Sequence, residues 1–199
     1  GTPKVEVLPE APGALAAARL GAALFVSDGW IASGFYWVWQ IVLFQGLGGS
    51  FTAYGGAMAL AAVAGAALGL VLGRHVDAGH GRRAAWLAFA VLSGAVLVRA
   101  VATTPALALA ANALGAFVTC FHTPVLMTAV YNLSKGSPCP LRFHIAAEGG
   151  FDLGCGAGLL VAAGIVALGF PVASAVLISL LGALATLVML RGYYAAQPA

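Results

Sequence analysis

Gly73-Arg74-His75-Val76-Asp77-Ala78-Gly79-His80-Gly81-Arg82-Arg83 is the densest cluster of charge in a chain that is otherwise nearly charge-free. No Asp, Glu, Lys or Arg occurs from Gly29 to Gly73, and between Ala84 and Ser134 the sole formal charge is Arg99. A short basic loop between two long apolar runs reads as the connection between two membrane spans. The rest of the chain can be laid out from that loop.

Composition agrees with it. The chain is 62% hydrophobic and 8% charged, against roughly 45–50% and 25% for soluble domains. No soluble fold of this length could cover so much apolar surface, so the chain reads as an all-α integral membrane protein. Cys120, Cys139 and Cys155 have neither metal-ligand spacing nor an even-numbered framework, so no metal, cofactor or disulfide scaffold is expected. Phosphate-binding Gly loops, nucleophile elbows and a nucleic-acid-binding face are also missing from the sequence.

A helix needs about 20 apolar residues to cross roughly 30 Å of hydrocarbon. On that measure residues 1–21 are a cytoplasmic linker, rich in Pro, ending in a short interfacial helix over Leu15–Leu20. Residues 22–194 form a six-helix domain with spans near 22–45, 51–73, 84–103, 106–131, 144–169 and 171–190, and 195–199 is a tail. Gln45–Ser50 makes the first turn. Ala61, Gly65, Gly69 and Gly73 recur every fourth residue, a face on which helices approach closely in lipid. The sixth span is almost wholly aliphatic, which suits exposure to lipid.

Six spans put both termini on one side. Lys4, Arg19, Arg74, Arg82, Arg83, Lys135, Arg142 and Arg191 fall on that side, and Arg99 alone falls near the other. Positive charge collects on the cytoplasmic face, so the termini and both polar loops are expected in the cytoplasm, with the bilayer a bacterial inner membrane.

The cluster resembles the signature loop of the major facilitator superfamily of secondary transporters. There a Gly closes an even-numbered helix, an Asp follows four residues later, and a Gly-Arg-Arg/Lys run precedes the next helix. Gly73, Asp77, Gly81, Arg82 and Arg83 match in order, with one extra residue between Asp77 and Gly81. The loop also joins the second span to the third, as in the family. The resemblance implies one six-helix half built of two inverted three-helix repeats, read here as a C-terminal half. Its partners would be lipid, a small-molecule substrate and a second six-helix half, in the same polypeptide or a homodimer.

Ionisable groups inside spans are costly and are functional suspects by default. Asp28, His122, Glu148 and Asp152 are the candidates for transport and proton coupling. Glu148 and Asp152 are four apart on one helical face, suited to a proton site or to a cytoplasmic gate. Asp28 is either an ion site or a helix cap. His122 lies beside Thr123-Pro124, and Arg99 is expected to snorkel to the outer headgroups. Because the family's first helix faces the pathway, Tyr36, Trp37 and Gln40, with Trp39, are implied as cavity lining; the plain alternative is an interfacial aromatic belt. Gly149, Gly150, Gly154, Gly156 and Gly158 are explained by close helix packing. The expected function is proton-coupled movement of a small solute by alternating access, as symport or antiport, and not enzymatic. A non-transporting membrane scaffold, or an intramembrane lipid-modifying enzyme using Glu148, Asp152 and His122, are the competing readings.

Overall fold

The computed structural model describes residues 11–72 and 81–196. Gly73 and Asp77 of the basic loop, and the linker up to residue 10, lie outside the described residues. Every element among the described residues is helical: α1 (Ala14–Ala17), α2 (Arg19–Ala32), a π-helical segment (Ser33–Val38), α3 (Trp39–Gly46), α4 (Phe51–Leu72), α5 (Gly81–Ala100), α6 (Pro105–Lys135), α7 (Pro140–Ala167), a 3-10 segment (Val172–Ile178) and α8 (Ser179–Ala195). The stretch from α2 to α3 is one unbroken helical run. Among the described residues four helices are long and apolar enough to cross a membrane: α5, α6, α7 and the run from Val172 to Ala195.

Local chemistry sets the boundaries. Gly48 and Gly49 both take positive φ (71° each), which allows the chain to reverse after α3, and the Gly49 N–H returns to Phe44 O at 3.0 Å. Ser50 Oγ then accepts from Ala53 N and opens α4. Thr104 Oγ1 accepts from Leu107 N ahead of Pro105, so α6 starts with a side-chain cap and a proline at its first position, where the missing N–H costs nothing. Pro140 opens α7 in the same way. Measured against the apolar cores read from sequence, α5 starts early, α6 ends late, α7 starts early and α8 ends late. All four overruns are at the end that carries Arg82, Arg83, Lys135, Arg142 and Arg191. Helical hydrogen bonds are internal to the segment and do not stop where the hydrocarbon does.

The packing is ordered by one close contact. The α2–α3 run lies mainly along α7 and also touches α8; α6 packs on α4 and α5; α5 packs on α8. Where α2 meets α7 the backbones approach almost directly. A Cβ on Gly150 would stand 2.6 Å from Ala22 O, and Cβ atoms on Gly154 and Gly29 would strike Val26 O and Phe151 O. Gly158 sits as closely on the Ser33 side chain. The small-residue face of α4 is only partly used: Gly65 approaches Ala116 of α6, while Gly69 has nothing within 4 Å.

The 171–190 segment departs from its expected lipid exposure. Its span is 44% buried, twice the 22% of α7, and it opens as a 3-10 turn held by polar contacts. Trp30 Nε1 donates to Ile178 O at 2.9 Å, Ser179 Oγ to Ile31 O at 2.9 Å, and Ser27 shares a 2.7 Å hydrogen bond with Thr186. Hydroxyls and Gly182 on an aliphatic background, not overall hydropathy, mark the face that packs inward. At the charged end, Gly81 lies flat against the Tyr194 ring, the Tyr194 hydroxyl donates to Val125 O at 3.0 Å, and Arg191 sits 5.3 Å over the Trp86 ring. The loop motif's second glycine therefore serves as a landing surface for the end of α8.

Gly150→Ala should lower the unfolding free energy by about 1–3 kcal/mol, the usual range for overpacking a tight site. Gly156→Ala, with nothing within 4 Å of the new methyl, should be neutral or stabilising by about 0.4–1 kcal/mol. Reversible unfolding in mixed micelles checks both.

Candidate functional site

The site is built around the π-helical segment Ser33–Val38. The Trp39 N–H would donate to Phe35 O in an α-helix; it turns instead to Gly34 O and Tyr36 O. The carbonyl of Phe35 thereby loses its regular partner, and Arg99 of α5 takes it through Nη1. The guanidinium lies over the Phe35 ring, 3.8 Å from its centroid, and 4.8 Å from that of Trp39. Gly115 of α6 makes room for it, since a Cβ there would collide with Nη2. Arg99 is 3% exposed.

This placement overturns the expected snorkelling of Arg99. An arginine near the end of a span reaches the headgroups only if no inward acceptor is offered; here an orphan carbonyl and two ring faces offer one. The arrangement is not free of cost. Burying a charge among apolar segments is unfavourable, and a desolvated cation–π contact offsets about 2 kcal/mol.

Trp39 is wholly buried, so it belongs neither to an interfacial belt nor to a cavity wall. Its Nε1 donates to Asn112 Oδ1 at 3.0 Å, and Asn112 Nδ2 donates on to Ala57 O at 3.1 Å. A single asparagine thus links the first helical run, α4 and α6. Gln40 accepts from the Tyr54 hydroxyl, a second tie between α3 and α4. Trp37 and Tyr36 are 57% and 39% exposed.

One ion pair joins two of the sequence candidates. His122 Nε2 stands 2.8 Å from Asp28 Oδ1, with side-chain exposures of 11% and 27%. With Asp28 ionised, the imidazole N–H donates to it. Asp28 lies within α2, well past the start of the helix, so it does not act as a cap. The Tyr36 ring meets that of Phe35 edge-on at 5.0 Å.

Glu148 and Asp152 are not part of the ion pair. Both are exposed, on the side of α7 away from α2; at 100° per residue they lie opposite the buried edge of Ala147, Gly150 and Gly154. Arg82 and Arg83 are exposed in the first turn of α5. Among the described residues no group of three or more His, Cys, Asp or Glu side chains could hold a metal ion. Sequence reasoning passed over Asn112 and assigned Arg99 elsewhere, although each is an isolated strongly polar residue in an apolar run, which was the available signal.

No protein-family model, no curated protein and no solved structure matches the chain.

Asn112→Ala should cost about 0.6–1.7 kcal/mol, the range measured for interhelical hydrogen bonds in bilayers, because it leaves both Trp39 Nε1 and Ala57 O without their partner. Unfolding in micelles would detect it, with Asn112→Gln as the variant expected to recover part of the loss.

Proposed function

We propose that this chain is one six-helix half of a secondary transporter of the major facilitator kind, which moves a small solute across a bacterial inner membrane by alternating access coupled to protons. The observation that carries the reading is the Asp28–His122 ion pair. It joins two helical runs, α2 and α6, at a point where both are mainly apolar, and Asp28 retains partial access. Each partner can take up or give up a proton, so the direction of the hydrogen bond between the two helices depends on where the proton sits. A proton carrier requires that property.

The packing supports a two-repeat architecture. Numbering the helical runs from first to sixth, the first packs on the fifth and sixth, the fourth on the second and third, and the third on the sixth. Exchanging the first three runs with the last three returns the same set of pairs. Inverted three-helix repeats would generate this pattern. The asymmetry of Lys and Arg supports cytoplasmic termini.

The surface supports the need for a second half. α7 carries Glu148 and Asp152 on its free side together with Leu153 and Leu160, which are 73% and 76% exposed. Charges at that depth are unfavourable against lipid. A second six-helix body, from the same polypeptide or another copy, would cover them, and they would then lie beside the solute path as gate or proton site.

Proteoliposomes loaded with a pH-sensitive dye and challenged with a panel of small solutes test the proposal. The intact protein should give solute-dependent proton movement, and Asp28→Asn should abolish it while keeping the same unfolding midpoint. Proton movement undiminished in both Asp28→Asn and His122→Gln would remove the pair from the mechanism. Assembly defects as the sole consequence of these substitutions would favour a scaffold.

A further inference from the structure

We infer that the corner between the start of α5 and the end of α8, formed by Arg82, Trp86 and Arg191, is a seat for an anionic phospholipid. The inference rests on cations gathered without acids. Arg82 and Trp86 are four apart on α5, so their Cβ atoms lie about 5–6 Å from each other on one side of the helix. Arg191 comes from α8 to the same place, its guanidinium 5.3 Å over the Trp86 ring. The contact of Gly81 with the Tyr194 ring fixes how the two helix ends meet. Arg83 adds a further guanidinium in the first turn of α5, and all three arginines are exposed. Among the described residues none of them pairs with a carboxylate. Like charges gathered in this way repel one another, and an anion from the surroundings relieves the repulsion.

The surroundings narrow the class of anion. Every cation at the corner is an arginine, whose planar fork matches the oxygens of a phosphate. In the proposed topology this is the cytoplasmic end, where an anionic lipid surface attracts clustered basic residues. Trp86 is 49% exposed, and an exposed indole between arginines suits the boundary of headgroup and acyl chain. An apolar track continues from it. Val188 and Leu184 stand three and seven residues before Arg191, on the same side of α8, and are 61% and 52% exposed. α5 packs on α8, and Ala90, one turn on from Trp86, is exposed and small, which leaves room for a chain along the seam. A soluble phosphate would use the arginines and leave this strip uncovered, whereas a phospholipid uses both.

The seat requires a bilayer and not transport, so it stands or falls apart from the transporter reading. The purified chain is placed in phosphatidylcholine bilayers containing increasing fractions of brominated phosphatidylglycerol. Quenching of tryptophan fluorescence then gives the association of that lipid relative to brominated phosphatidylcholine. Phosphatidylglycerol should be preferred by roughly an order of magnitude. Arg82→Gln and Arg191→Gln should each reduce the preference about fivefold, the usual effect of one basic residue near an anionic surface. Lys135→Gln removes a charge from the same end of the bundle but outside the corner, and should leave the preference unchanged. The exposed position of Arg82 keeps the test decisive if Arg191→Gln fails to fold.

Equal quenching by the two brominated lipids would overturn the inference, as would an undiminished preference in both arginine variants. An equal loss in Lys135→Gln would mean a general basic surface with no seat at the corner, and would overturn it too. If inorganic phosphate at constant ionic strength abolishes the quenching by phosphatidylglycerol, the corner takes soluble anions and the lipid assignment fails. A preference lost in the arginine variants, kept in Lys135→Gln and insensitive to inorganic phosphate is the expected result.

Discussion

The structure depends on the hydrogen bond from Arg99 to the carbonyl of Phe35. In hydrocarbon a backbone carbonyl without a partner costs several kcal/mol, and the π-helical segment creates one in the middle of the first helical run. Arg99 satisfies it, and in doing so fixes where α5 meets that run, which rings must flank the guanidinium, and why α6 carries Gly115 at the point of crossing. π-Helical turns are rare and concentrate at functional sites. Here the turn brings Tyr36 and Trp37 to the exposed side while Phe35 and Trp39 are buried.

A second constraint works from the opposite direction. α2 and α7 are drawn together by glycines until backbone meets backbone, which makes this contact rigid and sensitive to a single methyl. The remaining surface of α7 is open, and it carries the two acids. Tight packing on one face and exposed charge on the other make α7 an asymmetric helix. The Asp28–His122 pair differs in kind: it is held by one polar contact of 2.8 Å rather than by shape.

Much of the fold was legible from composition and charge. The apolar runs, Pro105 and Pro140 at helix starts and the Gly-rich turn after α3 follow from rules that act within a few residues. The π-helical segment was not legible, because its cause is distant: a carbonyl can leave the α-helical pattern only when α5 delivers a donor to it. The burial of α8 was misread for a related reason, since Ser179, Gly182 and Thr186 mark its packed face and contribute little to average hydropathy. For the site, the sequence offers residue types but not their partners. Asp28 and His122 are far apart in sequence, and no spacing rule joins them. Glu148 and Asp152 were paired by helical spacing, which gives their common side but not what that side faces.

The most direct test of this account is the environment of the Arg99 guanidinium in a lipid bilayer. Solid-state NMR on protein with labelled arginine and phenylalanine can measure coupling from the Arg99 side-chain nitrogens both to the Phe35 carbonyl carbon and to lipid phosphorus. Coupling to Phe35 at hydrogen-bond range, with none to phosphorus, is the predicted result. Strong coupling to phosphorus and none to Phe35 would mean that Arg99 reaches the headgroups. The π-helical segment would then lack its capping partner, and the site built on it would be contradicted.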